Sequence, residues 1–174
     1  VPEKMRAHRQ TARPGEPERF EQPKILIKDT SAKLGGTLDL ENYYVKDVLL
    51  LTRKQSAEVS LQFILGILNS KLMAFYYEST FPTLHVQNEE LSSLPIHTID
   101  FTKPEEKQMH DELVALVNRM LELHKQLNKA TFDSEKEPIE RQIAATDKKI
   151  DQLVYQLYNI TEEEQKIIEG AGTK

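Results

Sequence analysis

The chain of 174 residues contains no cysteine. That excludes a disulfide framework and any thiolate metal site, and it suits the cytoplasmic location expected here. Long apolar runs are missing as well. The longest, at residues 48–51 and 63–68, fall far short of the roughly 18–20 residues that a membrane helix needs, so no membrane partner is expected. Ahead of Phe20 there is neither the apolar stretch nor the small-residue cleavage site of a signal peptide. Residues 1–21 are polar and basic, lack hydrophobic periodicity, and read as a linker.

Motifs that carry chemistry are equally scarce. The five histidines (His8, His85, His97, His110 and His124) show no metal-ligand spacing, and no cysteine supplements them. His110 and His124 fall on one expected helix, well over two turns apart, and read as surface residues. Asp147-Lys148-Lys149 and Glu164-Gln165-Lys166 match the short acidic-x-Lys pattern of many nucleases, but both sit in charged helical stretches and read as solvated faces. No Gly-rich phosphate loop and no Gly-x-Ser-x-Gly elbow occurs, and Gly170-Ala171-Gly172 follows no strand. No catalytic residue and no metal site is expected on this chain.

What is present describes a folded domain. Hydrophobic residues make up 39% and charged residues 29%, enough for one ordinary core, or for a small domain with an appended helical element. The net charge of −5 is unevenly spread. Residues 1–80 hold 12 Lys and Arg against 10 Asp and Glu, a balance of +2, while residues 81–174 hold 11 against 18, a balance of −7. A surface that meets a polyanion needs local positive charge rather than a basic average. Such a surface belongs in the first half.

Along that half, residues 24–29 (KILIKD) read as a strand through the β-branched Ile25 and Ile27. Residues 30–37, broken by Gly35-Gly36, read as a loop, and residues 43–52 as a second strand, buried on both faces near residues 49–51. Val59, Phe63, Gly66, Ile67 and Leu68 then recur at helical spacing, with Ser56 as the expected N-cap. Asn69-Ser70 interrupts this helix and is placed to cap the next, over residues 71–78. Residues 83–86 are expected to be extended, residues 88–91 a helical turn, and Leu94-Pro95-Ile96 extended again.

From Thr102 the pattern is wholly helical. Thr102 with Glu105 and Ser134 with Glu137 suggest capping boxes at two helix starts. Met109, Leu113, Leu116, Met120, Leu123 and Leu127 form one apolar seam, with Glu112, Arg119 and Lys125 opposite; Ile139, Ile143, Thr146, Ile150, Leu153 and Leu157 form another. Two such seams joined by a short polar link predict an antiparallel helical hairpin. Thr161 with Glu164 opens a last short helix that Gly170 is expected to end. The predicted fold is α+β: a small twisted-strand module with short helices over residues 22–101, then the hairpin and short helix over residues 102–174.

Four segments, read in order, resemble one known family. Pro23-Lys24-Ile25-Leu26-Ile27-Lys28 resembles the opening strand of the TaqI-like C-terminal specificity domain, found in adenine-N6 DNA methyltransferases and fused restriction-modification enzymes. Leu65-Gly66-Ile67-Leu68-Asn69-Ser70-Lys71, leading into Phe75-Tyr76-Tyr77, resembles its internal helix pair. Residues 91–96 (LSSLPI) resemble its closing segment, and residues 150–158 with 161–164 resemble its C-terminal helix.

The resemblance implies sequence-specific binding of double-stranded DNA, with a parent methyltransferase domain as partner and the hairpin as spacer, docking surface or site of self-association. The family's transferase half carries a Pro-Pro-containing motif that holds the flipped adenine. This chain has neither Pro-Pro nor the Gly-rich S-adenosylmethionine loop, so that cofactor is expected only in the parent. Chemistry and position nominate the DNA contacts: Lys28, Lys33 and Lys71 for phosphates, the hydroxyls of Thr30, Ser31 and Thr37, and His85 and Gln87 for base edges. Leu65–Leu68 and Phe75–Tyr77 read as core. A competing reading is a coiled-coil docking or dimerisation module that binds no nucleic acid, which the acidic residues 102–170 favour.

Overall fold

The computed structural model describes residues 20–28, 34–45, 48–52, 58–81 and 85–171. Three short strands, β1 (Lys24–Lys28), β2 (Gly36–Asp39) and β3 (Val48–Thr52), form an antiparallel sheet in the order β2-β1-β3. Among the described residues six helices follow: α1 (Leu61–Leu68), α2 (Lys71–Thr80), α3 (Asn88–Ser93), α4 (Pro104–Lys129), α5 (Asp133–Leu157) and α6 (Glu162–Ala171). The α+β architecture ending in a long helical hairpin is the one the sequence predicts.

In β1 the alternation of side chains decides which face is which. Ile25 and Ile27 are fully buried in the core, whereas Leu26 and Lys28 lie on the opposite face and are half-buried and exposed. Ile25 pairs with Leu38 of β2, and Leu26 pairs with Thr37. Gly36 and Thr37, expected in a loop, instead begin β2: Gly36, a weak strand former, pairs with Ile27 of β1, and Thr37 pairs with Leu26. The expected strand over residues 43–52 is correspondingly shorter and starts at Val48, with residues 43–45 irregular. The side chains of residues 49–51, where two-sided burial is expected, lie outside the described part, as do residues 83–84 of the extended piece expected at 83–86.

Helix α1 is almost wholly buried through Leu61, Phe63, Leu65, Gly66, Ile67 and Leu68. Its N-cap is Ser60, not Ser56: the Ser60 hydroxyl accepts the Phe63 N–H at 3.2 Å, which leaves Val59 outside the helix. Ser70 joins α1 to α2, donating to the Ile67 carbonyl at 2.8 Å and accepting the Met73 N–H at 3.2 Å. One hydroxyl thus satisfies an orphan carbonyl of one helix and an orphan N–H of the next.

The hairpin of α4 and α5 packs its seam as expected. Leu113 and Leu123 are fully buried and Ile150, Leu153 and Leu157 are buried, while Glu112, Arg119 and Lys125 stay exposed. Two cap expectations fail. Thr102 lies before the helix and donates to Asp100, while α4 begins at Pro104 and Glu106 reaches back to the Asp100 N–H. Helix α5 begins at Asp133, where Glu135, not Glu137, accepts the N–H groups of Thr131 and Phe132. The third box holds: Thr161 and Glu164 bond reciprocally before α6. Gly170 does not end α6, which runs one residue further.

Helix α5 stops in a left-handed cap. Asn159 has φ 53°, and Ile160 N–H closes onto the Tyr155 carbonyl at 2.9 Å, a Schellman-type end with Asn in place of Gly. One apolar cluster runs through the whole assembly, joining Ile25 and Ile27 of the sheet to Phe63 and Leu65 of α1, Leu113 and Val117 of α4, and Ile150 and Val154 of α5. Gly66 makes the closest approach possible, since a Cβ there would lie 2.9 Å from both Leu113 and Val117 side-chain atoms.

Candidate nucleic-acid interface

The sheet face turned away from the helices has two unlike ends. At one end Lys24 faces Asp39 across the β1–β2 register, and both are buried. The Lys24 ammonium also donates to the Phe20 carbonyl at 2.9 Å, and Phe20 stacks on Tyr44 at 4.9 Å, so the chain on either side of the strands closes over this ion pair. Burial alone would raise the Asp39 carboxyl. The Lys24 hydrogen bond and the N–H groups of Glu41 and Tyr43 more than offset it and hold Asp39 below the ordinary carboxylate value.

At the other end the face is open. Lys28 and Thr37 are exposed and line one shallow depression with Leu26, Leu34, Gly35, Gly36 and Asn69. The position of Thr37 follows from Gly36. A Cβ on Gly36 would lie 2.8 Å from Ile25 on the helix side, so its neighbour Thr37 points the other way, beside Leu26. Asn69, at the junction of α1 and α2, reaches across to the same strand. Its Oδ1 accepts the Gly36 N–H at 2.8 Å and its Nδ2 donates to the Gly36 carbonyl at 3.0 Å. The sequence marks Asn69 as a helix breaker and, with Ser70, as a candidate cap; the contact with Gly36 spans 33 positions, and no local pattern announces it.

The other nominated residues are dispersed. Thr30, Ser31 and Lys33 lie outside the described residues. Lys71 does not line the depression: its ammonium pairs with Asp151 of α5 at 3.2 Å, and its backbone N–H donates to the same carboxylate at 2.9 Å. Partial burial works against the Lys71 charge, but Asp151, with Glu169 and Asp147 nearby, holds its ammonium above the ordinary value. Burial pushes the Asp151 carboxyl up despite Lys71. His85 and Gln87 are exposed ahead of α3. There the Glu90 carboxylate accepts both the Gln87 N–H at 3.0 Å and the hydroxyl of the buried Tyr77, so α2 fixes the start of α3.

Two sequence readings need amending. His110 is buried rather than on the surface, because its ring packs between Phe63 and Phe101 at 5.0 and 5.1 Å and bonds Asp111 at 2.9 Å. Tyr158, read from sequence only as part of a helix motif, clamps the 94–97 segment: its hydroxyl donates to the Pro95 carbonyl at 2.7 Å and accepts the His97 N–H at 3.0 Å. Among the described residues no group of three or more His, Asp or Glu could hold a metal, and no helix is long and apolar enough to cross a membrane.

The described residues thus form a small sheet, one end of which is open and carries Lys28 and Thr37, set on a helical frame. The sequence profile of the TaqI-like C-terminal specificity domain matches residues 2–96, and the chain belongs to that family. Membership gives it a DNA-recognition role in restriction-modification enzymes, as a specificity domain and not a catalytic one. No curated protein matches the sequence.

Proposed function

We propose that the chain reads a specific sequence in double-stranded DNA for an adenine-N6 methyltransferase. In this reading, methyl transfer and S-adenosylmethionine binding belong to a catalytic part outside the chain. The observation that carries the reading is the family match over residues 2–96, which spans the exposed Lys28, Thr37, His85 and Gln87. Lys28 supplies charge to a phosphate, and Thr37 supplies a hydroxyl beside it. Thr30, Ser31 and Lys33 fall between Lys28 and Thr37 in the sequence and are proposed as contacts on that basis alone, and Lys71 adds a half-exposed ammonium already paired with Asp151. His85 and Gln87 form a second set of polar groups for base edges.

The test is equilibrium binding of the chain to duplex DNA across a salt series. Lys28→Ala should weaken all sequences alike and lower the slope of log affinity against log salt by about 0.9. Gln87→Ala should instead change which site is preferred. Neither change having any effect on affinity or preference would refute the assignment of these residues.

A docking or dimerisation module is the second reading, favoured by one observation. The hairpin, α1 and the Gly36-Thr37 end of β2 border a cleft of about 620 Å³ whose lining includes the apolar Met120, Leu121, Leu127 and Ile143 and the acidic Glu140 and Asp147. Sedimentation of the chain alone tests the dimerisation form of this reading, which requires a stable dimer without DNA.

A further inference from the structure

We propose that Asn69 is a positioning residue for DNA specificity, acting through Gly36 on the strand that presents Thr37. The inference rests on the DNA-reading function above and adds to it the device that sets the geometry of one contact segment. Three observations support it together.

First, the Asn69 carboxamide satisfies both backbone groups of Gly36, as a neighbouring strand residue would, so a side chain from the helical frame extends the free edge of β2. Second, Gly36 packs closely on its other side: it pairs with Ile27 of β1, and a Cβ there would lie 2.8 Å from the Ile25 side chain and 3.3 Å from the Leu26 carbonyl. Gly36 is held between the frame and β1, and the exposed Thr37 follows it directly. Third, Asn69 is itself fixed. Its own N–H bonds the Leu65 carbonyl at 3.0 Å, and the next residue, Ser70, is buried with its hydroxyl bonded to Ile67 and Met73.

A helix junction therefore sets the position of β2, whose outer face carries Thr37, while Lys28 of the neighbouring β1 lines the same depression. Contact residues held this way lose less conformational freedom on binding, and misplacement by one lost bond pair falls on the specific site more than on nonspecific duplex. Asn69 sits on the rim of the depression, so direct reading of a base by Asn69 is the competing explanation that the experiment must separate.

The experiment compares the unmodified chain with Asn69→Ala, Asn69→Asp and, as a control remote from the depression, Tyr158→Phe. Each is read by amide hydrogen exchange at Gly36 and by selection from a randomised duplex pool. Asp retains an acceptor for the Gly36 N–H but has no donor for its carbonyl. Asn69→Ala is expected to speed Gly36 exchange by about tenfold and Asn69→Asp by less. Preference for the selected site should fall by about tenfold in Asn69→Ala, the scale of one lost base-pair discrimination, with nonspecific affinity within about twofold. Tyr158→Phe should leave the selected site unchanged. Faster exchange with unaltered preference overturns the positioning role, as does altered preference with unaltered exchange, which assigns Asn69 to DNA directly. An unmodified chain that selects no sequence overturns instead the DNA-reading function on which the inference rests.

Discussion

Lys24 and Asp39 meet at 2.5 Å with both side chains buried, directly opposite each other in the β1–β2 register. A buried pair of this kind is costly to break from one side, because the survivor keeps its charge without its partner. Lys24→Met or Asp39→Ala should each destabilise the chain by about 3–5 kcal/mol, whereas replacing both with apolar residues should recover most of the loss. Urea unfolding of the two single variants and the double variant measures this directly.

The same pair sets an acid limit. Asp39 is held below its ordinary carboxylate value in the folded chain. Its contribution is therefore full above the unfolded value of about 4 and is lost as pH falls through the lower folded value. Thermal melts from pH 6 to pH 3 should show stability falling below about pH 4, and an Asp39→Asn variant should show a shallower fall.

Gly66 is the point where α1 touches the hairpin, and a side chain there has no room against Leu113 and Val117. Gly66→Val should cost about 2 kcal/mol or more by overpacking. Gly170, with nothing near its would-be Cβ, should accept Ala with no loss, and its stability should stay the same or rise by up to about 1 kcal/mol. Equal melting temperatures for Gly66→Val and Gly170→Ala would contradict the packing described.

The hairpin makes its own prediction. Leu153→Asp places a charge in the buried seam and should cost several kcal/mol, whereas Glu112→Gln on the exposed face should change stability by less than about 0.5 kcal/mol. Differential scanning calorimetry of the two variants checks the contrast.

Local pattern made the hairpin legible, since Leu113, Leu123, Ile150 and Leu153 recur at spacings that a helix alone turns to one side. Capping was legible in part: Ser70 caps α2 as the sequence suggests. Thr161 with Glu164 held, but Ser60 displaced Ser56 four residues away and Glu135 displaced Glu137. Gly36-Thr37 reads as loop because nothing in its neighbourhood records that Ile27 and Leu26 pair with it. The same limit hid the site. Lys28 and Thr37 could be named from chemistry, but their meeting beside Asn69 depends on contacts across 33 positions, and the diversion of Lys71 to Asp151 on one across 80. Burial of His110 is another such case, since both aromatic rings that enclose it come from outside α4.

The most direct measurement is selection of bound duplexes from a fully randomised pool by the 174-residue chain at low salt, followed by affinity of the winners against scrambled controls. A single enriched motif is expected, bound at least about a hundredfold more tightly than scrambled duplex, with each substituted base pair costing about 1–3 kcal/mol. Equal affinity for the enriched and scrambled duplexes, or no retention of DNA at all, would contradict sequence-specific recognition by this chain.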